Sequence, residues 1–282
     1  MNKNIIETDA AHLWHPYSPL LNTRNVAEVV SAQGMYLHLA NGTKLLDGIS
    51  SWWVNIHGHA NEVLAKAVHE QILTLDHTLF AGFTHKPAVE FATRLLATIA
   101  CEQQRLFYSE NGSTAVEVAL KLAIQYWKNK GAHKTTFVAI EGAFHGDTFG
   151  AMSVSARGLF TEAFDSLLNP VVFIPFPDGT NDDLVLSTLE EYIRGGEVAA
   201  FIYEPLIQGT AGMRIYTPEM LTKLILLCRK YNVLCIADEV MTGFGRTGKK
   251  FASHYTTVNP DMMCFSKAIT GGLLPLGVTT CT

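Results

Sequence analysis

Val233-Leu234-Cys235-Ile236-Ala237-Asp238-Glu239 decides the fold: an unbroken apolar run ends in two acids. A run with no polar alternation reads as a strand buried on both faces, as in a parallel sheet covered by helices. A glycine-rich turn follows, Thr242-Gly243-Phe244-Gly245-Arg246-Thr247-Gly248. A second apolar run, Met262-Met263-Cys264-Phe265, then ends in Ser266-Lys267. An acid and a lysine thus each follow a buried strand, and ligands of open parallel sheets bind beyond the carboxyl ends of strands.

That pairing suits one chemistry. A lysine amine forms a Schiff base with an aldehyde cofactor. Pyridoxal phosphate is held in this way, and its ring nitrogen needs an anionic partner to stay protonated. Asp238 and Lys267 match these two roles, although spacing alone leaves open a capping or salt-bridged Asp238 and a solvated Lys267. Gly243 to Gly248 also fits the dinucleotide pattern G-x-G-x-x-G. The context argues against that reading, because Asp238 and Glu239 stand between strand and glycines, where they would repel a pyrophosphate, and no clear helix opens at Gly248.

The chain has 282 residues, 48% hydrophobic and 17% charged, an ordinary globular composition. Lys plus Arg number 21 against 26 Asp plus Glu, a net charge of -5, and no basic block stands out. Nucleic acid and anionic membrane are therefore not expected as partners. No apolar run reaches the length of a membrane span, and the N-terminus lacks a signal-peptide core. Cys101, Cys228, Cys235, Cys264 and Cys281 show no C-x-x-C pairing. Three of them sit in apolar segments and read as small core residues, which fits a reducing cytoplasm. No metal site is expected.

Residues 1–49 carry short alternating segments around Asn41-Gly42, a strong turn signal, and predict a small antiparallel unit. From residue 50 helix and strand alternate. Leu64, Val68, Ile72 and Leu75 mark one helix face behind a cap at Asn61. Pro87 opens a second helix with Phe91, Leu95 and Ile99 inward. A long helix carries Val116, Leu120, Ile124 and Trp127, and Thr217-Pro218 opens another. Strands are predicted at 106–108, 137–140, 171–174, 199–203, 233–237 and 262–265, with a last one near 276–280. The alternation predicts an α/β doubly wound sheet over residues 50–282. The loop Ser109-Glu110-Asn111-Gly112-Ser113-Thr114 joins a strand to the long helix. It suits phosphate binding at a helix N-terminus or simple capping.

Asp238-Glu239-Val240-Met241-Thr242-Gly243-Phe244-Gly245-Arg246-Thr247-Gly248, followed by Ser266-Lys267-Ala268-Ile269-Thr270-Gly271-Gly272, resembles the signature of class III aminotransferases. The resemblance covers most of the chain. It implies fold type I of the pyridoxal-phosphate enzymes, with a mostly parallel seven-stranded sheet, residues 1–49 as part of a small domain, and a homodimer. It implies Lys267 and Asp238 as catalytic residues, Gly112 and Ser113 at the cofactor phosphate, and Phe144 and Val240 on the two faces of the ring. His145 and Glu204 fall beside the cofactor, with Gln208 a weaker candidate.

Trp14-His15-Pro16-Tyr17 and Ser50-Ser51-Trp52-Trp53, with His145-Gly146-Asp147-Thr148 and Gln208-Gly209-Thr210-Ala211-Gly212, resemble one branch of that family. Its members move the amino group of S-adenosylmethionine to 8-amino-7-oxononanoate in biotin synthesis. Tyr17, Trp52 and Trp53 are then expected at the substrate chain with Phe144 and Lys267, and Asp147 at the cationic donor. Adjacent tryptophans taken alone are more often core or interface residues. Where that branch often has tyrosine, this chain has Phe144, which keeps the stacking ring and loses a hydroxyl. The family extends beyond a point equivalent to Thr282, so the resemblance implies a C-terminally truncated chain. Its arginine for the substrate carboxylate is expected beyond Thr282. The alternatives are a transaminase of ω-amino acids or diamines, or a fragment without catalysis.

Overall fold

The computed structural model describes residues 4–20, 26–99 and 101–282. The chain forms two compact units, residues 1–83 and 84–282. The division comes later than the boundary expected at residue 49, because the helix behind Asn61 clusters with the N-terminal unit.

In the first unit, helix α1 (Ile5–His12) precedes strands β1 (Val29–Gln33), β2 (Tyr36–Leu39) and β3 (Lys44–Leu46), paired antiparallel in that order. Asn41-Gly42 makes the turn between β2 and β3, with Gly42 at φ 84°, a conformation open to glycine at no steric cost. A single turn, α2 (Ser50–Trp53), follows. Its residues Ser50, Ser51, Trp52 and Trp53 have φ of 50°, 47°, 68° and 66°, so the turn is left-handed. Each such non-glycine residue costs roughly 1–2 kcal/mol. Helix α3 (Glu62–Thr74) is capped by the Asn61 side chain, which accepts from Leu64 N at 3.1 Å. The apolar face expected on α3 is not fully inward, since Ile72 is 57% exposed.

The second unit begins with α4 (Lys86–Ile99), β4 (Arg105–Ser109), α5 (Gly112–Asn129), β5 (Thr136–Ile140) and α6 (Phe149–Ser153). It continues with β6 (Val171–Ile174), α7 (Asp182–Arg194), β7 (Val198–Tyr203), the short strands β8 (Ile207–Gln208) and β9 (Arg214–Ile215), and α8 (Pro218–Lys230). It ends in β10 (Leu234–Asp238), β11 (Met262–Phe265) and β12 (Gly277–Cys281). Every predicted strand is present, whereas α7 was not anticipated. Behind a first turn that begins with Asp182 and Asp183, its Val185, Leu189 and Ile193 are spaced four apart and form the one buried face.

Seven strands form one sheet in the order β4-β12-β11-β10-β7-β5-β6. All lie parallel except β12, which runs antiparallel to β11 and β4. Strand alternation feeds two cores. Val138, Phe201, Cys235 and Met263 pack with the buried faces of α4, α7 and α8. Phe137, Ile202, Ile236 and Cys264 pack with Ala115, Val116, Ala119 and Ala123 of α5. Burial on both faces explains the unbroken apolar runs.

The turn after β10 is organised by Glu239, which is fully buried. Its carboxylate accepts from Thr242 Oγ1 at 2.5 Å, Ala252 N at 3.1 Å and Ser253 N at 2.7 Å. Gly245 and Gly248 take φ of 94° and 98°, and no helix follows directly, so the glycine pattern lacks the strand-turn-helix context of a dinucleotide site. Truncating the carboxylate strands buried donors, which is costly. Glu239→Ala is expected to lower the unfolding free energy in urea by about 3 kcal/mol or more, and an unchanged midpoint would contradict this account of the turn.

Candidate active site

Strand β4 runs antiparallel to β12 and β12 antiparallel to β11, so β4, β11, β10, β7 and β5 all end on one edge of the sheet. The candidate residues of the second unit follow those ends. Gly112 and Ser113 come after β4, Phe144, His145 and Asp147 after β5, and Glu204 after β7. Asp238 closes β10, with Val240 beyond it, and Lys267 comes after β11. Asp238 stands in register with Cys264 of β11, which brings the acid and the lysine to the same edge.

Asp238 is buried and doubly held. Its Oδ2 lies 2.7 Å from His145 Nδ1, and its Oδ1 accepts from Val240 N at 3.0 Å. A carboxylate can only accept, so Nδ1 carries the hydrogen. The other ring nitrogen, His145 Nε2, is buried and finds no hydrogen-bond partner among the described residues. The backbone N of His145 donates to Ser155 Oγ at 2.8 Å, and that hydroxyl donates to Ala151 O at 2.8 Å. Ser155 thus fixes the loop from behind; only its distance in sequence kept it out of the expected set.

Helix α5 begins in a capping box between Asn111 and Thr114. First-turn N–H groups have no partner within a helix, so this terminus faces the site with donors and a positive dipole end. Gly112 is required, since a Cβ there would meet Val240 Cγ1 at 2.8 Å. Ser113 Oγ accepts from Asp147 N at 3.1 Å. Gly146, at φ 134°, leaves room for that serine, whose side chain a Cβ would overlap. Asp147 itself is exposed.

Glu204 accepts from Phe144 N at 3.1 Å and from Gly209 N at 2.9 Å. Burial pushes its carboxyl up to about 7, with the Asp238 charge adding to the rise and His145 and the two N–H groups opposing it. Gln208 does not join this group. Its amide donates to Glu141 O at 3.1 Å and accepts from Arg214 Nη2 at 2.6 Å, so it braces the short β8-β9 ribbon. The Glu141 partner lies 67 positions away in sequence, whereas Arg214 is only six residues on.

Lys267 is partly buried and sits at φ 51°, a strained conformation for a non-glycine residue. Burial lowers its ammonium pKa, the positive charge of Arg246 lowers it further, and Asp238 and Glu204 oppose the shift. Arg246 belongs to the glycine-rich turn, and its charge acts on Lys267 across 21 positions of sequence. Tyr17, Trp52 and Trp53 lie in the first unit, where the Tyr17 and Trp52 rings stack with centroids 6.0 Å apart. Among the described residues no group of three or more His, Cys, Asp or Glu could hold a metal ion. Among them, too, no helix is long and apolar enough to cross a membrane.

A lowered pKa leaves more of Lys267 as free amine near neutrality. Modification of this lysine by an aldehyde with hydride reduction, followed by peptide mapping, is expected to reach half-maximal rate below the ordinary lysine value of 10.5. Removing the Asp238 charge withdraws stabilisation from the ammonium, so Asp238→Asn is expected to move the midpoint lower still. A midpoint that rises in Asp238→Asn contradicts the charge arrangement.

The family model for class III aminotransferases matches residues 21–282. The chain is 46% identical to the adenosylmethionine-8-amino-7-oxononanoate aminotransferase of Synechococcus elongatus, over 96% of this chain and 66% of that protein. The crystal structure of the enzyme of the same name from Methanocaldococcus jannaschii superposes with a TM-score of 0.91 at 34% identity, covering 99% of this chain and 65% of that one. An omega transaminase from Pseudomonas jessenii, solved in complex with PMP, superposes with a TM-score of 0.94 at 26% identity, over 99% of this chain and 66% of the other. The chain thus spans just under two thirds of the length of these relatives.

Proposed function

Because the chain belongs to the class III aminotransferase family, we propose that it serves a pyridoxal-phosphate-dependent transaminase moving the amino group of S-adenosylmethionine to 8-amino-7-oxononanoate, which becomes 7,8-diaminononanoate. The carrying observation is the convergence of Asp238, His145 and Lys267 on one sheet edge. The choice of substrates follows the activity named for the Synechococcus and Methanocaldococcus relatives.

The residues present fit the cofactor. Gly112 keeps the start of α5 clear of a Cβ, and the donors of that helix end suit a phosphate. A buried imidazole nitrogen without a partner among the described residues, His145 Nε2, lies in the same site. When bound, pyridoxal phosphate supplies an aldehyde for a lysine amine and a ring that withdraws electrons from a carbanion. Gly112 and Ser113 would hold the phosphate, and Phe144 and Val240 are the residues that would flank the ring. Asp238 would keep a proton on the ring nitrogen, and His145, donating to Asp238, orients that carboxylate. Glu204 holds the backbone of Phe144 in place. Lys267 Nζ would provide the tethering amine, helped by a lowered pKa, and as a free amine would take a proton from the donor carbon and deliver it to the cofactor. For the acceptor's alkyl chain, for which an apolar wall is suited, the first unit offers Tyr17, Trp52 and Trp53, and for the cationic donor the second unit offers Asp147. Assembly as a cytoplasmic homodimer belongs to the same reading.

Incubation with both substrates and pyridoxal phosphate is expected to yield 7,8-diaminononanoate by mass spectrometry. Lys267→Ala should abolish the product, and Asp238→Asn should retain the cofactor but slow turnover by roughly a hundredfold or more, the range of a lost transition-state charge interaction. Amination of the acceptor from ω-amino acids but not from S-adenosylmethionine would transfer the assignment to the ω-transaminases. Full activity in Lys267→Ala would remove Lys267 from the chemistry.

A further inference from the structure

The left-handed turn Ser50–Trp53 places four consecutive non-glycine residues at positive φ, Ser50 at 50°, Ser51 at 47°, Trp52 at 68° and Trp53 at 66°. Such a run persists only where its surroundings over-determine it. One side chain stands at the centre of what holds it. Asp47 is half-buried as a residue, with only 6% of its side chain exposed. Its Oδ1 accepts from Ser51 N at 2.9 Å. Its Oδ2 accepts from Ser51 Oγ at 2.8 Å and lies 2.9 Å from His59 Nε2. The backbone carbonyl of Asp47 also accepts from Ser50 N at 3.1 Å.

His59 is anchored in turn. Its N donates to Gly34 O at 2.7 Å and its O accepts from Gly34 N at 3.0 Å, which fastens it to the turn between β1 and β2. A Cβ at Gly58 would meet Gly34 O at 3.3 Å, so the two segments approach closely. Asp47 therefore links the tryptophan turn, through His59, to the three-stranded sheet. The turn displays Trp52, more than half exposed, stacked on Tyr17 at an interplanar angle of 16° and edge-on to Trp53 at 6.1 Å. An exposed aromatic group on a strained backbone is held ready by the scaffold beneath it, which spares a ligand the ordering cost on binding.

We propose that Asp47, seated on His59, is a positioning residue that locks the left-handed Ser50–Trp53 turn and so fixes the Tyr17–Trp52–Trp53 aromatic group for the apolar substrate chain. The substrate half of this statement rests on the reading of those aromatics under Proposed function; the conformational half does not.

The test follows the aromatic group directly. In Asp47→Ala the near-ultraviolet circular dichroism of the stacked rings is expected to weaken and tryptophan fluorescence to shift, with far-ultraviolet signal unchanged. Reductive trapping of pyridoxal phosphate on Lys267 should be unaffected. KM for 8-amino-7-oxononanoate should rise about tenfold or more with kcat little changed, the mark of lost ground-state positioning. Glycine takes the left-handed conformation without a Cβ penalty, so Ser51→Gly added to Asp47→Ala should recover part of the aromatic signal and of KM. Should Asp47→Ala fail to fold, Asp47→Asn, which keeps an acceptor for Ser51 N, and Ser51→Ala, which removes one bond, are expected to show the same changes in smaller measure. An unchanged aromatic signal in these variants, or loss of signal that Ser51→Gly does not recover, overturns the lock. If the unsubstituted protein aminates no acceptor, the assigned function fails, and the spectroscopic arms still decide the lock.

Discussion

A carboxylate taken out of water must be met by donors, and Asp238 is met by two: the ring N–H of His145 and the backbone N–H of Val240. His145 follows β5 and Asp238 ends β10, with β7 lying between those strands. The contact therefore exists only if three strands are in place and in register. Around it the remaining pieces interlock. Gly112 packs on Val240, Ser113 takes the N–H of Asp147, and Glu204 takes the N–H of Phe144. Each loop on this edge is tied to a neighbour rather than only to its own strand.

The two acids that follow β10 divide their work. Asp238 points into the group of polar residues at the sheet edge, while Glu239 is consumed by Thr242, Ala252 and Ser253 and shapes the glycine-rich turn. The turn is thus a structural arm with one charged product, the placing of Arg246 near Lys267. Lys267 itself combines burial, a nearby cation and a strained backbone, three conditions that occur together more often at reactive lysines than at surface ones.

The first unit solves a separate problem. Its small sheet is too thin to bury much apolar surface, and among the described residues its helices contribute none that is fully buried. What order it has around Trp52 comes from hydrogen bonds to a half-buried acid, Asp47. This is a polar means of holding an aromatic surface open, where an apolar core would have drawn the rings inward.

Local pattern was enough for the strands of the large unit, for caps at Asn61 and Thr217, and for the pairing of an acid with a lysine. Apolar runs, glycines and capping residues act within a few positions of themselves, so one dimension carries them. The motif around Asp238 and Lys267 also announced the family, since its residues are contiguous. Other features needed three dimensions. The antiparallel insertion of β12, the Ser155 support behind His145, the diversion of Gln208 to Arg214 and the left-handed tryptophan turn all arise between residues that meet only on folding. A hydrogen bond is specified by distance and angle, and sequence separation records neither.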